Sequence, residues 1–164
     1  MWSPGFEVAE DASARLLGYH RDLCILSYVF RGTPEVPGIV MGLNPGGACA
    51  GRAFRVEAAH VPKTIDYLHE REMVNNVYTP TWVDITLGDA RIVSAYTFVA
   101  VHDHPQYVGH LEQDEKVKYV LQGYGAGGSA LEYLENTCTH LRSLGINDET
   151  LEAILQATKA KSRK

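Results

Sequence analysis

Apolar residues in the first hundred positions gather into runs of strand length, whereas after Leu111 they recur every three or four residues. Residues 19–28 and 38–43 read as strands, and residues 48–56 as a third. The run Asn44-Pro45-Gly46-Gly47 predicts a turn, and so a hairpin, between the last two. Residues 81–87 and 91–101 predict a second hairpin that turns at Gly88-Asp89. Val117, Val120 and Leu121 form one helical stripe. Leu131, Leu134, Cys138, Leu141 and Leu144 form a longer one, opened by Ser129 and Glu132 as a capping box and stopped at Gly145. Asn147 or Asp148 caps a last helix carrying Leu151, Ile154 and Leu155. Strands first and helices after, joined by hairpins rather than β-α-β crossovers, predict an α+β fold on an antiparallel sheet or small barrel.

One more helix starts near Val61, with Pro62 suited to its first turn. Its apolar stripe runs Val61, Ile65, Leu68, and the next position on that stripe is Glu72. A helix that buries this face carries a carboxylate toward the core in its last turn, where the helix dipole also disfavours negative charge. Both effects raise a carboxyl pKa, which suits a group that takes up a proton and later returns it. A terminal Glu that bends out to water satisfies the same pattern.

Composition narrows the class. The chain has 164 residues, 45% hydrophobic and 21% charged, which fits one soluble domain spanning 1–164. A formal charge of -5 argues against a broad nucleic-acid surface, and the basic tail Lys159-Ala160-Lys161-Ser162-Arg163-Lys164 reads as a frayed helix end. No stretch is long and apolar enough for a membrane span, and the start lacks a signal-peptide pattern. Cys24, Cys49 and Cys138 form no disulfide framework and fit a reducing, cytoplasmic setting.

Three motifs carry candidate chemistry. Gly123-Tyr124-Gly125-Ala126-Gly127-Gly128 has the glycines of a phosphate loop, but a helix precedes it where the fingerprint needs a strand. A helix–helix connection with close backbone approach is the other reading. His102, His104 and His110 lie within nine residues yet lack a fourth ligand at recognisable spacing, so no metal site is assigned. There is no Gly-x-Ser-x-Gly, and no cysteine stands beside a basic group. The loop Arg31-Gly32-Thr33-Pro34-Glu35-Val36-Pro37-Gly38 is stiffened by two prolines. It reads either as a platform that offers a guanidinium to a carboxylate or as a rigid inter-strand link.

Six segments in order resemble the ChaC-like γ-glutamylcyclotransferases, the glutathione-specific branch of that superfamily. They are Met1-Trp2-Ser3-Pro4-Gly5-Phe6; Gly18-Tyr19-His20-Arg21; the Arg31–Gly38 loop; Tyr67-Leu68-His69-Glu70-Arg71-Glu72 with Tyr78; His104-Pro105-Gln106-Tyr107-Val108-Gly109; and Glu132-Tyr133-Leu134. The resemblance implies a small, partly closed mixed β-barrel with surrounding helices. It implies that Glu72 is the general acid/base, that Arg31 and Gly32 bind substrate, with Arg31 on a carboxylate, and that Tyr107 and Tyr133 supply pocket hydroxyls. The implied reaction closes the γ-glutamyl group of glutathione to 5-oxoproline and releases Cys-Gly. It needs no cofactor and implies a small-molecule substrate, with no nucleic acid, membrane or obligate protein partner.

The family's first strand and its Tyr-Gly-Ser-Leu loop would stand before Met1. Either the start lies upstream, or the chain lacks a substrate cradle and has weak or no activity. The first is preferred, because losing a barrel strand would cost several kcal/mol against a typical total of about 5–15. Ala126-Gly127-Gly128 also departs from the Pro and Ser frequent in the family, which bears on fine substrate contacts. The alternatives are an impaired binding or regulatory homologue, or a cyclotransferase for other γ-glutamyl peptides or amines.

Overall fold

The structure, a computed structural model, describes residues 4–162. In chain order the elements are β1 (Glu10–Ser27), β2 (Gly38–Arg55), a 3₁₀ turn (Ala58–His60), α1 (Val61–Glu72), β3 (Tyr78–Leu87), β4 (Ile92–Ala100), α2 (Gln113–Gln122), the short strands β5 (Tyr124–Gly125) and β6 (Gly128–Ser129), α3 (Ala130–Ser143) and α4 (Glu149–Ser162). The chain therefore adopts the expected α+β class. The main sheet runs β2-β1-β3-β4 with β1–β3 and β3–β4 antiparallel, and among the described residues it is open rather than closed into a barrel.

The predicted hairpin at Asn44-Pro45-Gly46-Gly47 does not form. β2 runs straight through this segment as one strand of 18 residues. Gly46 and Gly47 sit at φ 98° and 69°, so the glycines absorb a local kink inside the strand instead of reversing it. The imidazole Nδ1 of His20 lies 3.0 Å from the Gly46 carbonyl and ties the kink to β1.

The β3–β4 hairpin forms where the sequence placed it. Leu87 N–H donates to Arg91 O (2.8 Å) and Ala90 N–H to Leu87 O (2.9 Å). Ala90 sits at φ 69°, a left-handed conformation that costs a non-glycine residue roughly 1–2 kcal/mol. Ala90→Gly is expected to stabilise the protein by about 0.5–1 kcal/mol after the added chain entropy is counted. That raises the thermal midpoint by roughly 1–4 °C, readable in a thermal melt.

Two compact units emerge: Met1–His20 with Pro45–Val101, and Arg21–Asn44 with His102–Lys164. In the first unit Leu16, Ile85, Leu87, Val77 and Ala100 are buried. The second buries Leu23, Leu26 and Ile39 of the strands with Val117, Val120, Leu134, Cys138, Leu141, Leu151, Ile154 and Leu155 of the helices. The helical stripes read from the sequence supply these core positions, save Leu131 and Leu144, which are half-buried, and Leu121, which is exposed.

Helix ends follow their capping residues. Ser129 Oγ accepts from Glu132 N–H (3.0 Å), Asp148 Oδ1 accepts from Leu151 N–H (3.2 Å), and Gly145 at φ 71° ends α3. The basic tail does not fray over its described part. α4 runs to Ser162, with Lys159 paired to Glu135 and Lys161 to Asp114, both at 2.8 Å. Among the described residues no helix is long and apolar enough to cross a membrane.

Candidate active site

Each unit holds part of the predicted site. In the first, α1 starts with Pro62 in its opening turn and ends at Glu72, where Met73 N–H donates to His69 O (2.9 Å). Val61, Ile65, Leu68 and Glu72 are all half-buried, so the carboxylate does lie on the covered stripe. Its side chain is 23% exposed, and Arg71 Nε stands 3.2 Å from Glu72 Oε1. Arg71 also reaches back one turn, donating from Nη1 to the Tyr67 hydroxyl at 3.4 Å.

The rest of α1 is held on two sides. Phe6 packs edge-on to Tyr67 with ring centroids 6.4 Å apart. At Gly5, φ 77°, a Cβ would collide with the Tyr67 hydroxyl. His69 Nε2 lies 2.6 Å from the Tyr96 hydroxyl on β4, the two rings stacked. The amino-terminal motif segment and β4 thus fix the helix that presents Glu72. Met1, Trp2 and Ser3 of that motif lie outside the described residues.

In the second unit, the loop Arg31–Gly38 is fastened to the glycine-rich connection between α2 and α3. Ala126 N–H donates to Val29 O (2.9 Å) and Gly127 N–H to Phe30 O (2.8 Å). These amides are spent on the neighbouring loop, and β5 and β6 form a two-residue hairpin, so the segment is a helix–helix connection and not a phosphate cradle. A Cβ on Gly32 would strike the Gly38 backbone, one on Gly38 the Arg31 carbonyl, and one on Gly125 the Val29 carbonyl. Gly32 is therefore demanded by packing whatever else its backbone does.

Arg31 lies on this platform. Its backbone N–H donates to Ser27 Oγ (3.0 Å), its Nη1 to Ser129 O (3.2 Å), and its guanidinium sits 5.3 Å from the Tyr133 ring centroid. The Tyr133 hydroxyl accepts from Met41 N–H (3.3 Å). Arg31, Gly32 and Tyr133 are thus brought together by the structure. A half-buried, stacked guanidinium with donors to spare is suited to a carboxylate.

Tyr107 belongs to a different cluster of the same unit. Residues around it clip onto the buried end of β1: Leu26 N–H donates to Gln106 O and Val108 N–H to Cys24 O, both at 2.8 Å, and Gln106 Nε2 donates to Leu26 O (2.7 Å). His102 stacks on the Tyr107 ring, centroids 4.4 Å apart. Burial chiefly pushes the Tyr107 phenol above its ordinary value, opposed by a hydrogen bond from Asn44. His102 and His110 are exposed, while Nδ1 of the half-buried His104 accepts from Gln106 N–H (3.1 Å). Burial also pushes the Cys24 and Cys138 thiols up, to about 12 and about 11, which leaves them protonated and poorly nucleophilic.

Sequence reading missed the buried polar group beside Tyr107: Asp22, Asn44 and Lys116. Two signals pointed to it. Asp22 opens the buried run Leu23-Cys24-Ile25-Leu26, and Lys116 lies on the stripe of α2 that buries Val117 and Val120.

A family model for ChaC-like proteins matches residues 1–161. A glutathione-specific γ-glutamylcyclotransferase of Escherichia coli K12 is 31% identical over 159 residues, spanning 97% of this chain and 69% of that protein. The human glutathione-specific γ-glutamylcyclotransferase 1 is 29% identical over 163 residues, spanning 96% of this chain and 73% of its own length. Among solved structures, a yeast γ-glutamyl cyclotransferase specific to glutathione superposes with a TM-score of 0.85 at 21% identity, covering 93% of this chain and 89% of the yeast chain.

Proposed function

Because the chain belongs to the ChaC-like protein family, we infer that it is a glutathione-specific γ-glutamylcyclotransferase. The reaction needs no external nucleophile. The α-amine of the γ-glutamyl group attacks its own γ-carbonyl, a C–N bond closes the five-membered lactam, and the amide C–N bond to cysteine breaks. One proton leaves the attacking nitrogen and one arrives on the departing one. The products are 5-oxoproline and Cys-Gly, with no water consumed.

The protein has two tasks. It must fold the γ-glutamyl chain so that amine and carbonyl meet, an ordering that in favourable cases is worth roughly 7–11 kcal/mol. It must also carry the proton. We assign the second task to Glu72, and the observation that supports this is its place on the covered stripe of α1, partly shielded and with Arg71 beside it. Arg31 takes a substrate carboxylate, the Gly32 backbone shapes that loop, and the hydroxyls of Tyr133 and Tyr107 hydrogen-bond the substrate.

The test is chemical. Incubated with glutathione, the protein is expected to release 5-oxoproline and Cys-Gly in equal amounts. Unchanged glutathione, or free glutamate in place of the lactam, would overturn the reading. Arg31→Lys keeps the charge but loses the fork and the stacked plane. It is expected to raise KM about tenfold with little change in kcat, as loss of ground-state binding does.

A further inference from the structure

A buried charged pair stands behind Tyr107. Lys116 Nζ lies 2.7 Å from Asp22 Oδ1, and each side chain is only 9% exposed. The other carboxylate oxygen, Asp22 Oδ2, accepts from Asn44 Nδ2 at 3.1 Å. A carboxylate paired with a lysine ammonium accepts through both of its oxygens, so the Asn44 amide must turn its nitrogen toward Oδ2.

The same nitrogen carries a second proton, and the Tyr107 hydroxyl stands close enough to Asn44 for that side chain to hold the phenol down against its burial. Hydroxyl and amide lie side by side under Gly109, where a Cβ would come against both the Tyr107 hydroxyl and Asn44 Nδ2. The consequence appears on the other end of the amide. Asn44 Oδ1 is buried and finds no hydrogen-bond partner among the described residues. A buried acceptor without a partner is unfavourable. Reversing the amide would offer Oδ1 to the Tyr107 hydroxyl proton, but would also set it against Asp22 Oδ2. The charged pair therefore holds the amide in the orientation that orphans its oxygen.

We propose that Asn44, locked by Asp22 and Lys116, is a positioning residue that makes the Tyr107 hydroxyl accept on its inner side, so that its proton is presented to an acceptor oxygen of the γ-glutamyl substrate. This rests on the reading of Tyr107 as a substrate-facing hydroxyl. The stacked His102 ring holds the phenol plane, and the amide sets the rotation of its O–H. A hydroxyl fixed as a donor before substrate arrives needs no reorientation during the reaction.

A double-mutant cycle separates this from a purely structural role. Tyr107→Phe and Asn44→Leu are each expected to lower kcat/KM for 5-oxoproline release by about tenfold. Together they should lower it no further than either alone, because Asn44 acts only through the hydroxyl. Additive losses, or full activity in Asn44→Leu, would overturn the proposal.

A second readout does not depend on turnover. With tyrosine labelled at ¹³Cζ, the Tyr107 signal is assigned by its disappearance in Tyr107→Phe, and it should shift in Asn44→Leu. An unmoved signal refutes the positioning contact. A shifted signal in a protein that releases no 5-oxoproline upholds the contact and refutes the assigned reaction instead. Should Asn44→Leu not fold, Asp22→Leu combined with Lys116→Met removes both buried charges at once, an exchange that proteins often tolerate. It is expected to shift the same signal and lower kcat/KM in the same direction, whereas a pair that serves only packing would leave both unchanged.

Discussion

Glu72→Gln is expected to lower kcat for 5-oxoproline release by about 10³-fold, the scale on which a positioned general acid/base contributes. That corresponds to about 4 kcal/mol of transition-state stabilisation. The amide keeps the size and shape of the carboxylate but can neither take the ammonium proton nor return it to the leaving nitrogen. KM should change little, since the γ-glutamyl group is held by other residues. The fold should be unaffected as well. The pair that Glu72 loses, with an Arg71 side chain 39% exposed, is of the surface kind that contributes little. Steady-state kinetics and a thermal melt together decide the matter. A variant that melts like the wild type and turns over within about tenfold of it would remove Glu72 from the mechanism.

The second large effect is on the loop that carries Arg31. In Gly38→Ala the new methyl would run into the Arg31 carbonyl, with Gly123 Cα 3.2 Å away. Both obstacles are backbone, so no side-chain rotation relieves them. The variant is expected to lose about 3 kcal/mol, the upper part of the range for overpacking. In a chain of this length that lowers the midpoint by roughly 6–12 °C. It should also lower kcat/KM, because the displaced backbone is that of Arg31 itself. Gly51→Ala supplies the control. Nothing lies within 4 Å of a Cβ there, and its stability should match or slightly exceed the wild type. Equal unfolding midpoints for the two variants would show that the loop yields more easily than its packing implies.

What the sequence disclosed was local, and what it hid was long-range. Periodicity located α1, α3 and α4, and the Ser129 and Asp148 caps stand where short-range chemistry puts them. The stripe through Val61, Ile65 and Leu68 correctly placed Glu72 on the covered face. The Asn44-Pro45-Gly46-Gly47 run misled, because the same glycine conformations serve a turn or a kink. Which one forms depends on whether a partner strand continues alongside. Asp22, Asn44 and Lys116 meet across separations of 22 and 94 residues. No spacing rule reaches that far, although an acid and a lysine at core positions of a strand and a helix were in view. Arg31 and Tyr133 belong to the same class of contact, and only the resemblance to a family linked them beforehand.

The two compact units are each assembled from separated stretches of chain, and this has a bearing on biosynthesis. Residues 21–44 contribute Leu23, Leu26 and Ile39 to a core whose remaining members lie between Val108 and Leu155. At a translation speed of roughly 5–20 residues per second, those apolar strands leave the ribosome on the order of ten seconds before the last helix that covers them. Residues 45–101 can fold onto the first twenty in that interval, while 21–44 wait uncovered. The helical core therefore closes only once α4 has emerged, and the nascent chain passes through a stage in which β1 and β2 offer exposed apolar edges to chaperones or to one another.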